Sequence, residues 1–205
     1  MPLEKISRVA GRGIHLPGED VDTDRIVPAR FMRCVTFDDL GRHAFEDARA
    51  EATARGALHP FDDPRFEGAT VLVVGRNFGC GSSREHAARA IAKRGIRAIV
   101  GESFGEIFSA NATGLGIPCA SVSPSNRDAI ARLVEAESAA LIDVDLVACR
   151  VQAGDALVPF EMPGATRRAL LEGAWDPIAD LLARDAAIRA TSERLDYLRW
   201  PRVGA

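Results

Sequence analysis

Two serines and an arginine stand side by side in a glycine-rich stretch, residues 77–86, which reads Asn-Phe-Gly-Cys-Gly-Ser-Ser-Arg-Glu-His and is called here the central motif. A short apolar run, residues 70–74, precedes it, and an alanine-rich segment, residues 87–93, follows it. That order is typical of a strand, a turn and the start of a helix, where several backbone N–H groups point at one small volume. With two hydroxyls and a guanidinium added, the motif predicts an anion-binding site.

One interpretation of the motif is structural. Ser82 and Glu85 have the spacing of a capping box, in which the two residues satisfy each other's backbone N–H groups at the start of a helix. A helix cap stabilises a protein by about 0.5–2 kcal/mol. The box predicts that the helix begins directly after Ser82, but it gives no reason for Ser83 and Arg84 to lie beside it.

A second interpretation is nucleotide binding, because Gly79 and Gly81 follow a strand and Glu102 follows the next one. The third glycine of the dinucleotide fingerprint would fall at Arg84, where the helix must pack closely on the strand. No second mononucleotide-binding half is present, and no lysine follows the glycines as it does in a P-loop. These departures disfavour nucleotide binding.

A third interpretation is carboxylate chemistry, with Arg84 offering a planar pair of N–H donors and Ser82 acting as a base in the same pocket. A helix terminus stabilises negative charge by about 0.3–2 kcal/mol, and about 1.4 kcal/mol moves a pKa by one unit. That is too little to hold a serine alkoxide at neutral pH. The site therefore needs further donors and a Lewis acid. We find no metal-binding pattern in the sequence and expect the Lewis acid on another chain.

The composition limits the class of protein. The chain has 205 residues, of which 47% are hydrophobic, enough for one core. Its net charge is −3 and it has no basic cluster, which argues against nucleic-acid binding. We expect no signal peptide or membrane span, and the scattered cysteines predict neither disulfides nor a self-contained metal site, as in a cytoplasmic protein. The four cysteines are Cys34, Cys80, Cys119 and Cys149.

The remaining chain predicts the elements around the motif. A continuous run at residues 70–74 is typical of a strand buried on both faces, and residues 96–100 and 117–122 predict two further strands, joined to it by helices in a parallel sheet. Three later segments predict a half-exposed strand, a hairpin turn and broken helices: residues 141–146, 153–155 and 165–192. Two earlier ones predict a turn or helix cap and an irregular loop with a short helix: residues 22–24 and 29–66.

The central motif resembles the signature of the mobile fourth domain of aconitases, most closely in the small-subunit family of isopropylmalate dehydratases. The likeness runs from residue 11 to residue 190. It includes further blocks at residues 22–31, 103–111, 116–118 and 176–188. The resemblance implies an α/β fold: a three-layer β/β/α swivelling domain of the aconitase C-terminal type. We expect a mainly parallel core sheet with a β-hairpin, residues 1–165 as the swivelling domain, and residues 166–205 as a helical extension packed on it.

The resemblance also implies an activity and a partner. In the family, a large subunit carries a 4Fe-4S cluster, one iron of which binds the substrate's hydroxyl and carboxylate. This chain would bind no cofactor itself. The two subunits would convert 2-isopropylmalate to 3-isopropylmalate in leucine biosynthesis by removing and re-adding water. Carried over by position, Ser82 is the base, Ser83 and Arg84 bind a substrate carboxylate, and Thr23 and Asp24 line the pocket.

Two points stay open at the level of sequence. Residues 31–34 match the region where relatives differ by substrate, and Arg33 there keeps homoaconitate-type or other di- and tricarboxylate substrates open. A non-catalytic paralogue that acts as a binding module is the rival from another class. Glu85 and His86 are expected to serve helix capping and packing, and Cys80 is expected to be structural.

Overall fold

A computed structural model describes residues 3–33, 36–195 and 197, in which strands alternate with helices. The strands are β1 (Arg8–His15), β2 (Val71–Val74), β3 (Ala98–Gly101), β4 (Cys119–Ser121), β5 (Leu141–Asp145), β6 (Arg150–Ala153) and β7 (Ala156–Pro159). The helices are α1 (Thr23–Ile26), α2 (Glu46–Ala54), α3 (Glu85–Lys93), α4 (Glu106–Thr113), α5 (Pro124–Ala136), α6 (Gly164–Glu172), α7 (Pro177–Ala183) and α8 (Asp185–Arg194). Turns of 3-10 helix occur at Ala29–Arg33, Leu40–His43, Pro60–Asp62 and Pro64–Phe66.

The strands form a mixed sheet in the order β4-β3-β2-β1-β5-β6-β7. On one side of β1, the successive pairings β1–β2, β2–β3 and β3–β4 are parallel. On the other side, the successive pairings β1–β5, β5–β6 and β6–β7 are antiparallel. The parallel half is the predicted core sheet, and the antiparallel half contains the predicted hairpin between β6 and β7. The α/β fold class is therefore confirmed.

Strand β1 serves both halves of the sheet. Its first part, residues 8–12, pairs with β5, and its last part, residues 13–15, pairs with β2. Residues 5–15 alternate weakly, through Ile6, Val9 and Ile14, which is typical of a strand, but alternation alone does not show that one strand joins a parallel and an antiparallel set.

The core includes residues of both halves of the sheet and is continuous along the strands of the parallel half. All four residues of β2, and the first three of β3, are fully buried, as their continuous apolar runs predicted. Helix α3 packs on the sheet through Ala87, Ala90 and Ile91, which are also fully buried. Small side chains on this helix face bring its backbone close to the strands. The loop that precedes α3 is thereby fixed at the end of β2.

Ion pairs as well as α2 hold the described parts of the irregular segment, residues 29–33 and 36–66. Arg30 donates hydrogen bonds to Asp47, the shorter at 2.6 Å, and to Glu46 at 3.0 Å. Arg49 donates to Asp62 at 2.8 Å from its Nε atom. These bonds connect the 3-10 turns at each end of the segment to α2.

The C-terminal helices differ in how they meet the rest of the chain. Helix α6 buries Leu170, and the Nε1 atom of Trp175 donates to the carbonyl oxygen of Glu4 at 2.9 Å. Helices α7 and α8 bury no residue. The predicted division at residue 165 stays a prediction, and residues 196 and 198–205 of that extension lie outside the described residues. None of the helices in the described part of the chain is long and apolar enough to cross a membrane.

Stability is expected to fall in mild acid because of His59. Its side chain is 8% exposed, and its Nδ1 atom accepts a hydrogen bond from the backbone N–H of Phe61 at 3.2 Å. Burial, helped by the charges of Arg49 and Arg25 and opposed by Asp62, lowers the pKa of His59 from 6.5 to about 4. The unfolded chain binds a proton near pH 6.5 and the folded chain does not, so stability is full above that pH. About 3 kcal/mol is lost as the pH falls to 4.

The variant His59→Asn tests this pH dependence, because an asparagine oxygen can accept the same bond from Phe61 but does not titrate. Urea unfolding followed from pH 7 to pH 4 should give a shallower loss of free energy in the variant than in the native chain. Equal slopes in the two proteins would show that His59 is not responsible.

Candidate active site

The central motif forms a loop between β2 and α3, residues 77–84, called here the site loop. Asn77, Gly79 and Gly81 have left-handed backbone, with φ of 55°, 75° and 94°. Glycine adopts this conformation at no steric cost. A Cβ atom at Gly79 would also lie 2.2 Å from the Cγ atom of Phe108 in α4. The glycines therefore allow the loop to turn tightly against α4.

The segment that leads into α1 is bonded to the site loop. The N–H of Gly79 donates to the carbonyl oxygen of Val21 at 2.7 Å, and the N–H of Thr23 donates to that of Cys80 at 3.0 Å. The Thr23 hydroxyl donates to the carbonyl oxygen of Ser82 at 3.2 Å. Two stretches of chain that lie far apart in sequence thus form one rigid unit.

The three residues predicted to do chemistry lie at the end of the site loop. Ser82 and Ser83 are exposed, and neither hydroxyl makes a hydrogen bond with the described part of the protein. The side chain of Arg84 is only 13% exposed and forms an ion pair through Nη1 with Asp24 in α1. Its Nε atom is buried without a hydrogen-bond partner among the described residues. The structure thus brings Ser82, Ser83, Arg84, Thr23 and Asp24 together.

The two helix caps predicted near the site have different outcomes. Asp22 caps α1, because its carboxylate accepts a hydrogen bond from the N–H of Arg25 at 2.7 Å, so the predicted turn or cap is confirmed. The predicted capping box is wrong: α3 begins at Glu85, and its N-cap residue is Arg84, which makes no side-chain cap. The tight turn at the end of the site loop delays the helix, so the Ser82 hydroxyl is free for another role.

The other polar residues of the motif have structural contacts. Glu85 pairs with Arg89 on α3, at 2.7 Å from the Nε atom, and the ring of His86 meets the edge of Phe37 at a centroid distance of 5.1 Å. The thiol of Cys80 donates to the carbonyl oxygen of Asp20 at 3.5 Å, and burial raises the pKa of Cys80, so it stays protonated. These contacts agree with the packing role expected of His86 and the structural role expected of Cys80, whereas Glu85 forms an exposed ion pair along α3 in place of the expected cap.

A serine that follows β3 has the spacing of a nucleophile elbow but not its geometry. Gly101, Ser103 and Gly105 match the pattern Gly-x-Ser-x-Gly between a strand and a helix. In a nucleophile elbow the serine stands on a strained turn with its hydroxyl exposed. Here Ser103 has no left-handed φ, and its hydroxyl accepts a hydrogen bond from the N–H of Asn77 at 2.8 Å. Ser103 therefore supports the site loop and is not a nucleophile.

Arg33, which was predicted to contact substrate, differs from Arg30 in its contacts. Arg30 is held by α2 and lies over the ring of Phe31, 4.6 Å from its centroid, and Phe31 stacks on His43 at 3.9 Å. Arg33 is exposed and makes no hydrogen bond or ion pair with any residue in the described ranges. Cys34 lies outside the described residues. Arg33 is thus a charged side chain at the end of an anchored turn.

Metal ligands do not converge in the described part of the chain: no group of three or more His, Cys, Asp or Glu side chains there is placed to hold a metal ion. The acidic residues nearest the site loop are committed to the protein itself. Asp22 caps α1, and Asp24 pairs with Arg84.

Comparison with known proteins gives the class of this domain. The profile of the family described as aconitase C-terminal domain matches residues 3–120, which include α1 and the whole site loop. Since this is more than half of the chain, the protein belongs to the aconitase C-terminal domain family.

Within that family the chain groups with the small subunits of 3-isopropylmalate dehydratase. It is 45% identical to a protein of that name from Thermus thermophilus, over 96% of this chain and 98% of the relative. It is 44% identical to the one from Synechocystis, over 97% and 98%. A crystal structure of 3-isopropylmalate dehydratase from Methanocaldococcus jannaschii is similar, with a TM-score of 0.63 and 27% identity, covering 86% of this chain and 97% of that one.

Proposed function

We propose that this chain is the small subunit of a 3-isopropylmalate dehydratase. The enzyme is a hydro-lyase that converts 2-isopropylmalate to 3-isopropylmalate in leucine biosynthesis. The observation that carries the proposal is the full-length similarity to proteins of that name, combined with a loop in which two serines with unbonded hydroxyls directly precede Arg84. Removing water from a hydroxy acid with two carboxylates requires a base for the carbon-bound proton and groups that bind the carboxylates.

In this proposal each residue at the end of the site loop has one task. Ser82 removes the proton from the substrate carbon and later returns it, as a general base and acid. Ser83 and Arg84 bind a substrate carboxylate, because a guanidinium offers parallel N–H donors that match a carboxylate in geometry and charge. The free Ser82 hydroxyl and the largely buried guanidinium of Arg84 support these roles.

The free chain does not complete the site. Ser82 is exposed to solvent, whereas electrostatic stabilisation of an alkoxide is strong only where water is excluded. The start of α3 supplies about 0.3–2 kcal/mol. A second surface must therefore cover Ser82 and supply further stabilisation. The large subunit implied by the small-subunit relationship is the partner we propose for this surface.

We propose that the large subunit also holds the cofactor, a 4Fe-4S cluster, and that the enzyme works in the cytoplasm. The cluster would supply a Lewis acid for the leaving hydroxyl group of the substrate. The residues of this chain would contribute the proton transfer at carbon and the binding of carboxylate. No residue in its described part is assigned to the cluster.

Reconstitution tests the proposed function. The purified chain is mixed with a cluster-loaded large subunit, and the formation of 3-isopropylmalate from 2-isopropylmalate is measured. The chain alone is expected to be inactive and the mixture active. Association without turnover on any hydroxy di- or tricarboxylate would favour the rival function, a non-catalytic binding module.

A related hydro-lyase, such as a homoaconitase, is the alternative that a specific observation favours. Arg33 is exposed and unpaired among the described residues, whereas Arg30 is held by Asp47 and Glu46. In this alternative, Arg33 borders the substrate in the assembled enzyme and binds an additional carboxylate. The variant Arg33→Ala is expected to lower kcat/KM for homoaconitate relative to isopropylmalate by about 10-fold, the effect of one charge-assisted hydrogen bond.

The matched control is Arg97→Ala, which removes an exposed arginine outside the segment of residues 29–66. That change should leave the ratio of the two kcat/KM values as it is. If Arg33→Ala also leaves the ratio unchanged, the turn that carries Arg33 does not select substrate.

A further inference from the structure

Thr23 was expected to line the substrate pocket, but its placement does not support direct contact. The residue is 1% exposed, and its hydroxyl donates to the carbonyl oxygen of Ser82 at 3.2 Å. A side chain that is buried and already bonded is not available to a substrate. Its contact with the backbone of Ser82 points to another task.

The carbonyl oxygen of Ser82 is the point at which two bonds converge. It accepts the Thr23 hydroxyl and also the backbone N–H of Arg84, at 2.8 Å, which closes a tight turn. A carbonyl oxygen has two lone pairs, so both bonds can form together. Because the carbonyl of Ser82 and the N–H of Ser83 belong to one rigid peptide plane, the Thr23 bond fixes the orientation of both.

Asp24, the next residue of α1, holds a different member of the site. Its carboxylate is paired with Nη1 of Arg84, whose side chain is far less exposed than that of Asp24, at 13% against 56%. The pair leaves the remaining guanidinium N–H groups of Arg84 for a second carboxylate. Two adjacent residues of α1 thus contact the site loop: Thr23 contacts Ser82, the proposed base, and Asp24 contacts Arg84, the proposed carboxylate-binding residue.

We propose that α1 is a positioning element of the active site, in which Thr23 orients Ser82 and Asp24 orients Arg84. The inference rests on the proposed function, because it assigns separate kinetic roles to the two residues that are positioned. Ser82 acts on the reacting carbon, so its misplacement affects the chemical step. Arg84 binds a carboxylate that is present before and during the reaction, so its misplacement weakens substrate binding.

The test is steady-state kinetics of the complete two-subunit enzyme. Thr23→Val, which removes the hydroxyl at constant shape, should lower kcat about 100-fold with little change in KM, the usual cost of an error of about 1 Å in a catalytic group. Thr23→Ser keeps the hydroxyl and should restore kcat. Asp24→Ala should raise KM about 10-fold with little change in kcat, since one charge-assisted bond to Arg84 is lost.

The control is Thr113→Val, which removes a bond of the same kind, from a threonine hydroxyl to the carbonyl oxygen of Ser109 at 2.8 Å in α4. Both kinetic constants should be unchanged in this variant. Thr23→Ala, which adds no bulk, serves if Thr23→Val does not fold or assemble, and it should show the same loss of kcat.

The outcomes separate this inference from the proposed function. If the native pair of subunits does not interconvert the isopropylmalates, the proposed function fails. If the pair is active but Thr23→Val and Thr23→Ala keep their kcat, or if Thr23 and Asp24 variants change both constants alike, the positioning role is wrong. A lower KM in Asp24→Ala, from an Arg84 freed of a competing carboxylate, would also overturn it.

Discussion

Replacing Ser82 with alanine is expected to lower the kcat of the reconstituted enzyme by about 100-fold to 10 000-fold, the range for loss of a general base. The reason is that the exposed Ser82 hydroxyl makes no hydrogen bond with the described part of the protein and stands two residues before Arg84. No neighbouring side chain in the described part of the loop offers the same proton acceptor at the same place. Turnover of 2-isopropylmalate by the two-subunit enzyme measures the effect.

Ser82→Ala should not destabilise the chain or weaken its association with the large subunit. Helix α3 begins at Glu85, and no side chain caps it, so Ser82 contributes nothing as a cap. The free energy of unfolding is therefore expected to change by less than about 0.5 kcal/mol. A loss of about 0.5–2 kcal/mol would instead indicate a capping role.

Ser123→Ala is the matched control, for which we expect lower stability and unchanged activity. The Ser123 hydroxyl caps α5 by accepting a hydrogen bond from the N–H of Asn126 at 3.3 Å. Its removal should cost about 0.5–2 kcal/mol of stability and leave kcat unchanged. If Ser82→Ala behaves like Ser123→Ala, then Ser82 serves structure and the assignment of the base is wrong.

Arg84→Lys is expected to reduce kcat/KM by about 100-fold, although the charge is conserved. A guanidinium can hold a substrate carboxylate through two parallel N–H donors, and an ammonium offers a single point charge. One charge-assisted hydrogen bond contributes about 1.5–3 kcal/mol. Lysine would also lose the geometry by which Asp24 holds the Arg84 side chain in the loop.

The control for Arg84→Lys lies on α3, the helix that follows Arg84. Arg89 pairs with Glu85 on α3, and Arg89→Lys keeps that charge pair without touching the site loop. Its kcat/KM should stay near that of the native enzyme. A kcat/KM for Arg84→Lys within a factor of about two of the native value would mean that Arg84 acts only through its charge, not through a bidentate contact.

The elements that frame the site could be predicted because their signals are local. The continuous apolar run of β2 and the apolar stripe Ala87, Ala90 and Ile91 of α3 indicate a buried strand and a helix packed on it. Together with the glycines between them, they predict an anion site at the end of β2. This part of the prediction follows from periodicity and turn chemistry alone.

The start of α3 could not be predicted from the same signals. The spacing of Ser82 and Glu85 fits a capping box, but the left-handed residues Gly79 and Gly81 and the turn closed on the Ser82 carbonyl take up the residues before Glu85. A spacing rule identifies residues whose side chains could cap a helix. It does not show that the backbone at those residues already forms another turn.

Long-range contacts were beyond sequence reasoning for a different reason. Thr23 and Ser82 are separated by 59 positions, and their hydrogen bond depends on how the segment before α1 lies against the site loop. The difference between Arg30 and Arg33 has the same origin, because it depends on where α2 presents Glu46 and Asp47. The sequence pattern identifies such residues as candidates, and only the packed structure separates those that hold the site from those left free.

The most direct test of the central claim, that this chain supplies half of a dehydratase site, is the rate of 3-isopropylmalate formation with and without a cluster-loaded large subunit. Activity that requires both subunits, and that Ser82→Ala lowers by about 100-fold or more while the subunits still associate, is the predicted result. Full turnover by this chain alone, or an active pair that is indifferent to Ser82→Ala, would contradict it.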